Sequence, residues 1–180
     1  MQIFQQILFL AVLVAAGFFF YKNAFKIYRN VKLGKPEKID DQPEVRWKNM
    51  IILAFGQKKM FKRIIPAVLH FLVYAGFLIM NIEMLEIVLD GLLGTHRLFA
   101  PLLGSAYPLL INIFEVLALM VLVSCAIFLV RRNILKIKRL NQVELEGWPK
   151  SDANFILITE IVLMSLLLTM NATDYNLQQL

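Results

Sequence analysis

Four long apolar runs constrain this chain more than any other feature. They cover residues 3–21, 64–89, 107–130 and 153–171. A membrane-spanning helix needs about 20 mostly apolar residues. One such run can be a buried helix of a soluble protein. Four within 180 residues read as a polytopic bundle. Helices satisfy their own backbone polar groups, which lipid requires. The expected fold is all-α: a single membrane domain over residues 1–180 with four transmembrane helices. Composition agrees, with 59% hydrophobic and only 18% charged residues. A soluble domain carries about 45–50% and about 25% respectively.

The first run is not a signal peptide. Such a peptide has basic residues before its apolar core. Here residues 1–6 carry none, and Lys22, Lys26, Arg29 and Lys32 follow the run. The same asymmetry orients the whole chain. Residues 22–63 hold twelve Lys or Arg, residues 131–152 hold six, and the loop 90–106 holds only Arg97. The positive-inside rule makes 22–63 and 131–152 cytoplasmic and puts both termini outside. The net charge of +6 is then mostly topological. Its default partner is the anionic headgroup of membrane lipids. No aromatic-interleaved basic motif is present, so nucleic acid is not an expected partner.

The cytoplasmic loops carry structure of their own. In Val45 to Phe61, residues Trp47, Met50, Ile51, Ala54 and Phe55 can share one helical face, followed by Lys58 and Lys59. That pattern predicts an interfacial helix on the inner leaflet. Lys32 to Glu44, with Gly34, Pro36 and Pro43, reads as a loop. The apolar residues within 131–145 predict that span three runs on past the membrane. Gly147-Trp148-Pro149 marks the next turn, with Trp148 at headgroup level. Asp90-Gly91 and Pro101 read as turns in the outer loop.

Polar residues inside the spans are the informative ones. Span two carries His70, Tyr74, Asn81, Glu83 and Glu86; span three carries Asn112 and Glu115; span four carries Thr159, Glu160, Ser165 and Thr169. At about 100° per residue His70, Tyr74 and Asn81 fall on one face, and Glu83 and Glu86 point the opposite way. Helical rise puts His70 and Glu160 roughly 9 and 10 Å from the cytoplasmic starts of their spans, and Glu115 about 12 Å from the outer start of its own. Glu83 and Glu86 approach the outer surface.

His70 has three open readings: a packing histidine, an axial ligand of haem b, or a proton-relay or quinone-contacting group. The other histidine, His96, lies in the outer loop, at least about 30 Å of helix beyond, so the two cannot share a haem. His96 can instead cap a short helix or meet a quinone headgroup. Met120 or Met164 offers a sulfur ligand, although methionines in apolar helices usually pack. Glu115 and Glu160 are either neutral, helix-bonding acids or proton carriers, and both are expected to face the bundle interior. Tyr74 and Asn81 join them as candidate relay or quinone contacts. The single cysteine, Cys125, excludes an intrachain disulfide and any cysteine-held zinc or iron–sulfur site, and reads as a packing residue.

Several stretches carry a family resemblance. They are HFLVYAGFLIMNIEMLEIVLDGLLGTHRLF, FEVLALMVLV with the basic RRNILKIKR tail, GWPKSDAN and LLLTMNATDY. Together they resemble the N-terminal membrane domain of heterodisulfide-reductase-like iron–sulfur oxidoreductases, itself similar to the haem-b membrane subunit of respiratory nitrate reductase. The resemblance implies a membrane domain in the bacterial inner (cytoplasmic) membrane, linking a quinone pool or haem b to a cytoplasmic iron–sulfur domain or subunit. It assigns one ligand, His70, to haem. The family's further histidines lie on a fifth helix that is not in this sequence. The chain therefore reads as a fragment of a larger redox protein, or as an anchor subunit whose iron–sulfur partner is a separate chain. Two other functions compete: a non-catalytic membrane scaffold, and a small proton-coupled transporter using Glu115 and Glu160.

Overall fold

The computed structural model describes residues 2–35, 41–57, 60–137 and 147–178. These residues contain helices and no strand. Helix α1 spans Gln2–Val31, α2 Pro43–Met50, α3 Ile64–Leu93, α4 Ala100–Leu103, α5 Tyr107–Leu129, α6 Trp148–Thr173 and α7 Tyr175–Gln178. Four stretches are long and apolar enough to cross a membrane: Ile3–Val31, Ile64–Leu93, Ala100–Ile134 and Trp148–Thr173.

Each of the four is longer than its apolar run. Asp90 and Gly91, expected in a turn, lie inside α3, and Pro101 lies inside α4. A proline at the first turn gives up only an amide that has no helical acceptor, so it starts α4 and does not break it. Beyond α5 the chain continues as a π-helical turn, Val130–Ile134, so the expected extension of span three is five residues long. Residues 138–146, with Lys138 and Arg139, lie outside the described residues, as do residues 36–40 of the first loop.

Contacts divide the chain into two compact units: Met1–Lys59 with Glu86–Leu98, and Met60–Leu85 with Phe99–Leu180. In the first unit, α1 meets the end of α3 at two glycines. A Cβ on Gly91 would stand 2.6 Å from the Phe9 ring, and one on Gly94 would meet the Gln6 amide. Phe9 and Gln6 are half-buried, whereas most of α1 is exposed and apolar, as a lipid-facing helix is. Gly94, at φ 69, closes α3 in the left-handed region, its N–H donating to the Asp90 carbonyl at 2.8 Å. The Asp90 carboxylate then gathers the loop, accepting from Thr95 Oγ1 at 2.6 Å, Arg97 N at 2.8 Å and Leu98 N at 3.2 Å. Glu86 and Arg97 are both buried in this unit.

The second unit holds the principal core. On α5 the buried residues Tyr107, Ile111, Phe114, Ala118, Val121 and Cys125 recur at alternating intervals of four and three. Met164, Leu167 and Asn171 continue the same rhythm on α6. That spacing is the seam of left-handed helix pairs. Lipid is as apolar as leucine, so close packing and interhelical hydrogen bonds hold such pairs together. At one end of the α5–α6 pair Asn133 and Asn154 exchange amide hydrogen bonds of 3.2 and 3.0 Å. Arg132 donates to the Pro149 carbonyl at 3.4 Å beside them. Hydroxyls within the spans are satisfied on their own helices: Ser124, Ser165 and Thr169 donate to the carbonyls of Met120, Ile161 and Ser165.

Candidate functional site

Three contacts in the second unit fix the relative levels of its helices. Glu83 on α3 accepts a hydrogen bond from the Asn171 amide on α6 at 3.1 Å. Gly76 on α3 meets Val121 on α5, where an added Cβ would lie 2.5 Å from the valine Cγ2. Asn133, in the π-helical turn that continues α5, meets Asn154 on α6. Counting along the helices from any of these gives the same levels to within about two residues, or about 3 Å of rise.

This register sorts the polar residues into two layers. Thirteen residues back from Glu83 and Asn171 stand His70 and Ile158, so Glu160 lies about 3 Å from the level of His70. Glu160 is also one seam position before Met164 on α6, and Cys125, four residues beyond Val121 on α5, stands within about 3 Å of the same level. Eighteen residues from the asparagine pair, Glu115 stands level with Ala172, beside Asn171. Six residues from Gly76 and Val121 it stands level with Ile82, beside Glu83. One layer therefore contains His70, Cys125 and Glu160. The other contains Glu83, Glu115 and Asn171. About 18 Å of helix separates Glu115 from the level of Glu160. Gly76, Met80, Ala118, Val121 and Leu167 fill the interval.

The sequence-derived residues are distributed unevenly over these layers. His70 and Tyr74 are half-buried, and Nδ1 of His70 is buried without a hydrogen-bond partner among the described residues. Asn81, on the same helical face, is exposed and turns its amide back to the Phe77 carbonyl at 2.5 Å. The expected shared polar face is thus covered at one end of α3 and open at the other. Glu115 and Glu160 are half-buried, flanking or continuing the α5–α6 seam. His96 is exposed in the loop gathered by Asp90.

The sequence puts Glu83 on a second polar face of span two, near the outer surface, without assigning it a role, and does not single out Asn171; the two are 0% and 1% exposed. The signal was present in α6, where Glu160, Met164, Leu167 and Asn171 keep four-three-four spacing. A polar residue on a seam of that period faces a neighbouring helix. Intramembrane carboxylates of this kind are rare and costly, and mark functional positions by default.

The same geometry tests haem b. His70 offers one imidazole. The buried methionine on the seam, Met164, stands level with Gly76, about 9 Å further along. Met120 on α5 is level with Phe77, about as far. Among the described residues of the second unit, no second imidazole and no methionine stands at the level of His70, so they do not complete a bis-histidine or histidine–methionine haem site. No group of three metal-ligating side chains occurs among the described residues.

Comparison with known proteins yields one informative relative. The chain is 26% identical over 136 residues, 76% of its length, to the probable iron–sulfur-binding oxidoreductase FadF of Bacillus subtilis (strain 168). The aligned region is 19% of that protein, so the chain spans about a fifth of the relative it matches. The match supports an oxidoreductase-related family. No family model and no solved structure matches the chain.

Proposed function

We propose that this chain is the membrane domain of an electron-transfer oxidoreductase, exchanging electrons between a quinone pool and an iron–sulfur module. The observation that carries the reading is the similarity to an iron–sulfur-binding oxidoreductase over three quarters of a chain with four spanning-length helices. The chain's one cysteine leaves the cluster to another domain or subunit. By the positive-inside rule that module sits in the cytoplasm, against the basic loops 22–63 and 131–152 of a bacterial inner membrane. Quinol oxidation releases protons together with electrons. The two polar layers offer groups to take them: His70 and Glu160 in one, Glu83 and Glu115 in the other. Haem b has one donor here, His70, and no step depends on it.

A transport reading built on Glu115 and Glu160 as one site is not favoured, because the two stand on different levels. The deciding experiment purifies the protein from its native membrane with its bound partners. Iron and acid-labile sulfide should co-purify, and added quinol should reduce the cluster in an electron paramagnetic resonance spectrum. A preparation without iron, inert to quinol, would overturn the proposal and leave the scaffold.

A further inference from the structure

The segment between α1 and α3 has an apolar face that the functional reading does not use. α2 begins with Pro43 at its first turn, and none of its residues is buried. A π-helical turn, Ile51–Phe55, continues it, closed by the Gly56 N–H donating to the Ile51 carbonyl at 2.9 Å. Only glycine fits that closure, since a Cβ on Gly56 would stand 2.8 Å from the Ile52 carbonyl oxygen. Trp47, Met50 and Ala54 share a face at helical spacing. The wider π turn rotates Phe55 back beneath Ile51, toward the same face. Trp47, Ile51 and Phe55 are 63%, 53% and 61% exposed. Beside them a shallow hollow of about 430 Å³ is lined by Pro43, Arg46, Trp47 and Met50. Arg46 and Lys48 are exposed on the two flanks of this face, and Lys35 and Arg63 are exposed near its ends in sequence.

Connectivity says what covers this face. Val31 ends one spanning-length helix and Ile64 begins the next. Eight residues separate Phe55 from α3, which keeps Phe55 within about 30 Å of the membrane end of that helix. The charges on the flanks complement acidic headgroups. We propose that Pro43–Phe55 docks on the leaflet with Trp47, Met50, Ile51 and Phe55 among the upper acyl chains and Arg46 and Lys48 against the phosphates of anionic phospholipid. The proposal is independent of the electron-transfer reading.

The test uses the full chain in vesicles of phosphatidylcholine, with and without phosphatidylglycerol. The chain has two tryptophans, so Trp148→Phe leaves Trp47 as the reporter. Its emission should be blue-shifted and quenched by lipids brominated near the headgroup, more strongly when anionic lipid is present. Arg46→Gln and Lys48→Gln should each weaken the preference for anionic lipid about fivefold. If Trp148→Phe fails to fold, the difference in quenching between the unaltered chain and Trp47→Phe reports the same quantity. Trp47 emission that stays unshifted and open to aqueous iodide in both vesicles would overturn the proposal. So would shielding that arises only when the iron–sulfur partner is added, which would make the face a protein-docking site.

Discussion

Glu83 is the residue on which one end of the second unit turns. Its carboxyl is fully buried within a span, and Asn171 reaches it from a helix 88 positions away in sequence. Interhelical hydrogen bonds in membranes contribute about 0.6 kcal/mol on average and up to about 1.7 kcal/mol. A double-mutant cycle with Glu83→Leu and Asn171→Leu, each of which removes the bond, should therefore give a coupling of about 1 kcal/mol when read by denaturation in detergent. Glu83→Gln alone should be mild, because an amide oxygen still accepts from Asn171. Gly76 poses a steric question. Gly76→Ala drives a methyl into Val121, and overpacking of this kind costs about 1–3 kcal/mol. Adding Val121→Ala should recover most of that loss. No recovery would mean that Gly76 is needed for a reason other than its approach to α5.

At the scale of elements, the α5–α6 hairpin was the part most legible in the sequence. Its two spans follow from their apolar runs and their ends from basic or proline-bearing flanks, but the seam does not, because nearly every position of α5 is apolar and only packing selects the buried face. What the sequence left hidden is which polar face of a helix with two is covered. α3 carries His70, Tyr74 and Asn81 on one side and Glu83 and Glu86 on the other, and period cannot choose between them. Neighbours choose: α5 approaches at Gly76 and α6 at Glu83, so the glutamate side is closed and Asn81 is open. π turns were equally invisible. They widen a helix by one residue without any composition of their own, and Gly56 is legible as a closure only once Ile52 is in place. The hairpin register has a direct check. In a Cys125→Ala background, Asn133→Cys with Asn154→Cys should crosslink on oxidation, whereas Asn133→Cys with Ile158→Cys, one turn away, should not. Equal crosslinking of both pairs would show that the helices slide.

For the whole molecule, four spanning-length helices and eighteen of nineteen basic residues on alternate loops predict a single topology. Reporter fusions after Lys35 and Gly147 should read cytoplasmic, and fusions after Thr95 and Thr173 external. A cytoplasmic signal after Thr95 would invert the orientation and with it the side on which an iron–sulfur module docks. The seam between α5 and α6 also bears on how the chain is made. The most apolar window of α6 has a mean hydropathy of 2.0, against 2.8 for the α5 stretch. α6 also carries Glu160 and Asn171 at the same four-three-four spacing as its buried Met164 and Leu167. Leaving the translocon alone, α6 would present those groups to lipid; leaving as a hairpin with α5, it would present mainly leucine, isoleucine and valine. Thirteen residues between Ile134 and Trp148 are short enough for the two to wait together at the lateral gate. Membrane insertion of α6 is thus a property of the pair, and a lesion on α5 such as Ala118→Asp should be read first as a failure of biosynthesis.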